Sequence, residues 1–195
     1  MPAVPAARTA LILLLQLAYS GELGAARAYV GHRASLRDRA QRAVLGRVLR
    51  DELHHRHVLL AMMAELGAAP DPRRERKLNT VGKLIALSCF VGGWFIPMYG
   101  AGKLERDNIG EYERAARLAY LAGLEHLVEP LLVLAEVEWD HELVFRTYAA
   151  SHWLWRIFPS WPVTAPRAAI RTSYAAFVAS GSREVERIRI PWLVR

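Results

Sequence analysis

Apolar positions along this chain recur with a helical period in four long stretches, and no stretch of useful length alternates as a half-buried strand would. The first runs from about Thr9 to Arg33, with Leu11, Leu15, Ala18, Glu22, Ala25, Tyr29 and His32 on one face. The second runs from Arg37 to Leu66, with Ser35 as its expected cap and Gly67 as its stop. Its inward line is Leu45, Val48, Glu52, His55, Leu59 and Met62. A polar connector over 68–76, containing Pro70, Asp71 and Pro72, follows. A third helix is expected from about Ala101 to Ala122, its apolar side formed by Met98, Ala101, Ile109, Tyr112, Ala116 and Ala119. After Gly123 a fourth spans about His126 to Tyr148, with Leu131, Leu134, Glu138, His141, Phe145 and Tyr148 facing inward. The pattern predicts an all-α fold built on a four-helix bundle.

Two segments do not fit the bundle period. Residues 80–102 are almost uninterruptedly apolar and nearly long enough to span a bilayer. They also hold Gly82, Gly92, Gly93, Pro97, Gly100 and Gly102, which favour a broken hairpin or paired short helices over one rod. A membrane-embedded or substrate-covering segment, a buried connector and a true transmembrane helix are the readings open for it. The tail, Ser151 to Pro162, concentrates Trp153, Trp155, Phe158 and Trp161 around Arg156, as a membrane–water interface or a small packed corner would. A short last helix should begin near Thr164-Ala165-Pro166 and end about Ala179. The expected organisation is therefore a bundle over 1–150, with the apolar insertion at 80–102, and an aromatic-rich appendage over 151–195.

The chemistry lies in what interrupts the apolar stripes. Glu52 with His55, and Glu138 with His141, each form a Glu-x-x-His pair whose members share one helical face. A single Glu precedes each pair by about thirty residues: Glu22 the first, Glu105 the second. Four carboxylates and two imidazoles on facing helices are the ligand set of a di-iron carboxylate centre. The plainer reading has each acid on a solvated face, paired with an arginine, but it needs six coincidences of face and spacing. Helical phase chooses Glu105 over Glu111 and Glu113 on the third helix, with Glu111 in reserve. Tyr29 and Tyr112 each follow their Glu by seven positions. They are candidate catalytic residues, as radical or proton relays, with core packing as the other reading. Asp51 and Asp140 are candidates to orient the imidazoles or to pair with surface arginines, and His32 is a core or outer-lying histidine.

Composition sharpens this picture. Hydrophobic residues make up 53% of the 195 and charged ones 23%, and 26 Lys and Arg against 19 Asp and Glu leave a net charge of +7. Hiding four acids at a metal would leave the surface more basic still, which suits anionic lipid. The basic residues are spread over several helices without a recognition motif, so no nucleic acid is expected as partner. One cysteine, Cys89, excludes an intrachain disulfide and a four-cysteine iron site, and favours a reducing compartment. The apolar run after Arg8 imitates a signal peptide, but the helical pattern continues through it to Glu22 and His32, so it is read as part of the fold.

With these residues in hand, the chain resembles the demethoxyubiquinone hydroxylase family of the ferritin-like superfamily. The likeness rests on Gly21-Glu22-Leu23-Gly24-Ala25-Ala26-Arg27-Ala28-Tyr29, on Glu52-Leu53-His54-His55, and on Glu138-Trp139-Asp140-His141. The Gly-rich apolar stretch ahead of Glu105 and Tyr112 adds to it, and the likeness covers roughly residues 10–148. It implies a ferritin-like bundle holding two iron ions (manganese takes the same ligands), with Glu52 and Glu138 bridging. Glu22 and His55 would complete one ion, Glu105 and His141 the other. It implies an oxygen-dependent monooxygenase that hydroxylates a quinol-type or other lipophilic ring, with electrons from NADH or a reductase. Such a protein would sit in the cytoplasm against the inner face of the cell membrane, with homo-oligomers left open. Where the family has His-His-Tyr on the third helix, this chain has Gly110-Glu111-Tyr112, and its Trp-rich tail departs from the family pattern. Another ferritin-like oxidase or ferroxidase, and a non-catalytic membrane-associated helical protein, are the competing readings.

Overall fold

The computed structural model describes residues 4–181, and the regular structure among them is entirely helical. In chain order the α-helices are α1 (Val4–Ser35), α2 (Arg39–Glu65), α3 (Pro72–Ser88), α4 (Phe95–Leu121), α5 (Val128–Ala150) and α6 (Ala168–Ala179). The part of the expected appendage beyond residue 181 lies outside the described residues.

The four stretches of helical period become α1, α2, α4 and α5, and their ends show where local chemistry decided. Asp38, not Ser35, caps α2: its Oδ1 accepts the Gln41 amide at 2.7 Å, while Ser35 Oγ turns back to the His32 carbonyl at 2.8 Å. Gly67 and Gly123 close α2 and α4 with φ of +66° and +71°, a backbone region that suits glycine. The polar connector is shorter than expected. Pro72 opens α3 instead of blocking it, because the first turn needs no amide from that residue and Asp71 accepts the amides of Arg73 and Arg74.

The apolar 80–102 run is two things. Its first half completes α3, a bend follows, and its second half is the start of α4, six residues earlier than the period predicted. Helix α3 lies against α1, where the two backbones come very close. A Cβ at Gly82 would collide with the Gly24 carbonyl, and one at Gly31 with the Ala86 backbone. On its other side α3 exposes Leu84 and Leu87, and the bend exposes Phe90 and Val91. Helix α1 is long and apolar enough to cross a bilayer by length and composition. Here it is the central element, packed by α2, α3 and α4.

The Trp-rich tail is largely a packed corner. Trp161 is buried, its Nε1 donating to Glu142 at 2.7 Å; Tyr99 and Trp155 meet its ring edge to face, and Phe95 and Phe158 belong to the same apolar cluster. Gly102 on α4 leaves the space that the Trp161 ring fills. Only Trp153 projects well into solvent among the tryptophans of this segment. Helix α6 then returns to the core through Ile170, and Arg171 clamps Glu129 and Glu136 of α5.

Besides the corner cluster around Trp161, two apolar clusters flank the buried acids. One gathers Leu11 and Leu15 of α1, Leu59 and Met63 of α2, Ala116 of α4, and Leu131 and Ala135 of α5. The other gathers Tyr29 of α1, Leu45 and Val48 of α2, Met98 of α4 and Phe145 of α5. On each of these helices the Glu, or Glu-x-x-His pair, falls between the two clusters. Apolar layers therefore seal the acids from both ends.

Candidate metal centre

Glu22, Glu52, His55, Glu105, Glu138 and His141 are all buried, none more than 4% exposed, and they converge. Their donor atoms form two overlapping sets. Glu22, Glu52, His55 and Glu138 lie within 4.8 Å of one another, and so do Glu52, Glu105, Glu138 and His141. Glu52 and Glu138 belong to both, the placement of carboxylates that bridge two ions. Glu105 rather than Glu111 joins the set. Glu111 stands apart, half-buried in the wall of a neighbouring cavity.

Several polar atoms of the cluster are buried without partners. Both oxygens of Glu52, Oε1 of Glu138, Oε2 of Glu22 and Nδ1 of His141 are buried without a hydrogen-bond partner. An unmet buried polar group costs about 1–3 kcal/mol, more when charged. Five of the six residues, all but Glu105, carry such unmet atoms, and a cation held between them could satisfy these. His55 Nδ1 stands 2.9 Å from Glu138 Oε1 and 3.6 Å from Glu22 Oε1. His141 Nδ1 stands 3.3 Å from Glu52 Oε1, so both rings aim Nδ1 at the carboxylates. Carboxylate oxygens and imidazole nitrogens, with no thiolate among them, make a donor set that iron, manganese or zinc could accept.

Without a cation, protons take its place. Burial, then the charges of Glu22 and Glu105, holds the Glu52 carboxyl well above the usual range. Burial, then Glu138, does the same to Glu105. Burial would also raise Glu22, but the adjacent Glu52 carboxyl and the His55 imidazole outweigh it and bring it to about 2. Burial would neutralise His55, yet Glu138 and Glu22 hold its proton up to about 11.

The surrounding groups are crossed between halves. Tyr29 of α1 donates to Glu105 of α4, and Tyr112 of α4 donates to Glu22 of α1. Burial, then the charges of Glu105 and Glu22 respectively, raises both phenols well above 10 and keeps them donors. Asp51 accepts from His141 Nε2 at 3.2 Å, whereas Asp140 faces Arg167 at the surface. Asn108, not anticipated from the sequence, donates to Glu105 Oε2 at 3.1 Å and Glu138 Oε2 at 3.3 Å. Its signal was its place one turn after Glu105. His32 is buried beside Phe145, and burial lowers it to about 4, so it is neutral.

A cavity of about 590 Å³ opens beside the centre, between α1, α3 and α4. Glu22, Glu105, Tyr29, Tyr112, Asn108 and Glu111 supply its polar wall, and residues such as Leu17, Leu78, Ile85, Pro97 and Ala101 the apolar remainder. Burial raises Glu111 to about 7, with Arg114 opposing. Val81, Ile85, Val91, Ile96 and Leu104 line the cavity while exposing apolar surface outside. No family model, curated protein or solved structure matches the chain.

Proposed function

We propose that the chain is a ferritin-like di-iron monooxygenase that hydroxylates a lipophilic, quinol-type ring, working in the cytoplasm at the inner face of the cell membrane. Helices α1, α2, α4 and α5 are then the four-helix bundle and α3 its extra apolar segment. One observation carries the reading: two overlapping sets of donor residues, sharing Glu52 and Glu138, lie beside an apolar cavity whose wall includes Glu22 of one set and Glu105 of the other. Glu22 and His55 would complete one iron, Glu105 and His141 the other. The bound pair would supply activation of molecular oxygen, with electrons drawn from NADH or a reductase.

The chain's own residues do the rest. Tyr112 and Tyr29 fix the Glu22 and Glu105 carboxylates by donating to them. Asp51 fixes the tautomer of His141 so that Nδ1 faces inward. The apolar walls from α1, α3 and α4 bind the ring and its tail and exclude water. Glu111 holds or releases a proton near neutrality in that wall. The exposed apolar residues of α3 and the following bend, together with the basic surface, would seat the cavity mouth on anionic lipid.

Iron loading under anaerobic conditions, metal analysis and then turnover of a short-tailed quinol under isotopically labelled oxygen test the reading together. About two irons per chain and one labelled oxygen atom in the ring are expected. Iron uptake with oxidation but no labelled product would make it a ferroxidase or another oxidase. Absence of iron uptake would remove the enzyme reading.

A further inference from the structure

The two halves of the centre repeat each other: Glu22, Tyr29, Glu52 and His55 correspond to Glu105, Tyr112, Glu138 and His141. The repeat fails at two informative positions. Asn108, three residues after Glu105, donates to Glu105 and Glu138, while three residues after Glu22 stands Ala25. Asp51, just before Glu52, accepts from His141 Nε2, while just before Glu138 stands Val137. Asp140 does not substitute, since it faces Arg167 at 3.5 Å. His55 Nε2 is accordingly buried with no partner at all. Glu105 is thus held by two donors, Tyr29 and Asn108, and His141 by Asp51, whereas Glu22 has Tyr112 alone from its matching surroundings and His55 has no orienting acceptor.

We propose that the two metal positions are unequal: the Glu105/His141 position binds first and tightly, the Glu22/His55 position second and weakly. Asp51 and Asn108 are the positioning residues responsible. The inference rests on the metal-centre reading above and adds an order to it. An imidazole whose distal nitrogen is held presents its other lone pair at no further cost in orientation, and a carboxylate already tied by two donors loses less freedom on ligation. Loss of such supporting partners typically weakens metal binding about 10- to 100-fold. A separation of about that size between the two constants is expected.

Mn(II) is a suitable probe, because it does not oxidise readily and the free ion is counted by its EPR signal. Titrated into the metal-free chain, it should bind in two resolved steps. His55→Ala should retain one ion at the tight constant, and His141→Ala should keep only the weak step. Combining Asp51→Ala with Asn108→Ala should draw the two wild-type constants together without changing the number of ions bound. Circular dichroism of each metal-free variant checks that the fold is kept. Equal constants in the wild type, or a tight step surviving in His141→Ala, would overturn the proposal while leaving a two-metal centre standing. No uptake by the intact chain would overturn the centre itself, and this ranking with it.

Discussion

Replacing Glu52 by Gln should make the metal-free protein more stable and unable to hold its ions. Glu52 is fully buried, and neither of its oxygens has a hydrogen-bond partner. It shares its surroundings with three other carboxylates. Gln has the same shape, cannot ionise, and carries two N–H donors that the Glu22 and Glu138 oxygens can accept. Relief of unmet buried acceptors is worth about 1–3 kcal/mol, so a gain of about 2 kcal/mol is expected. For a chain of this length that raises Tm by about 4–8 °C. Thermal unfolding followed by far-ultraviolet circular dichroism, in chelator at neutral pH, measures it. Adding Mn(II) or Fe(II) should reverse the order, since a ligand at a hundred times its Kd stabilises the wild type by about 2.7 kcal/mol. If the metal-free variant instead melts below the wild type, Glu52 is an ordinary structural ion-pair member. Its burial would then need no cation to explain it.

Between about pH 6.5 and 9 the metal-free protein should lose stability as pH rises. Glu52 and Glu105, held above the usual carboxylate range, and His55, held up to about 11, keep protons in the folded chain that the unfolded chain releases. The low values of Glu22, about 2, and His32, about 4, act only as pH falls below that window. Metal affinity should climb over the same window, because those protons must leave; a flat Mn(II) affinity would contradict the assignment. Gly82→Ala should cost about 1–3 kcal/mol by forcing α3 off α1, read as a lowered Tm. Gly21→Ala, which meets nothing within 4 Å in an exposed stretch of helix, should stabilise by about 0.5–1 kcal/mol. Glu142→Ala strips the acceptor from Trp161 and Arg146, so a loss of about 1–3 kcal/mol and red-shifted tryptophan emission are expected. Unchanged emission would show that the tail is held by ring packing alone.

The four helices that carry the buried Glu/His cluster were legible because each has a long apolar stripe, and period is a strong signal when it persists. The members of the buried Glu/His cluster were legible for the same reason, as charged residues standing where apolar ones belong. Element ends were harder, since Ser35 and Asp38 are both competent caps and only the length of α1 chooses between them. The start of α3 was hidden by Pro72, which looks like a breaker until Asp71 is seen capping the turn it opens. Gly100 and Gly102 likewise read as interruptions. Gly102 sits inside a helix where the Trp161 ring takes the space a Cβ would need, a contact 59 residues away in sequence that no local pattern encodes. Asn108 and the different fates of Asp51 and Asp140 depend on where neighbouring helices end up in space. Spacing along one helix could not supply that.

The crossed tyrosine contacts bear on how such a centre can be divided. Each helical hairpin, α1 with α2 or α4 with α5, brings three members to one donor set and borrows the fourth from the other hairpin. It also relies on the other for the hydroxyl that steadies its lone glutamate. A hairpin produced alone would be half a device, whereas two identical copies about a twofold axis would complete each other. Such a symmetric pair would impose every change on both donor sets at once. Joining the halves in one polypeptide frees them to diverge, and Asn108 opposite Ala25, with Asp51 opposite Val137, is that freedom in use.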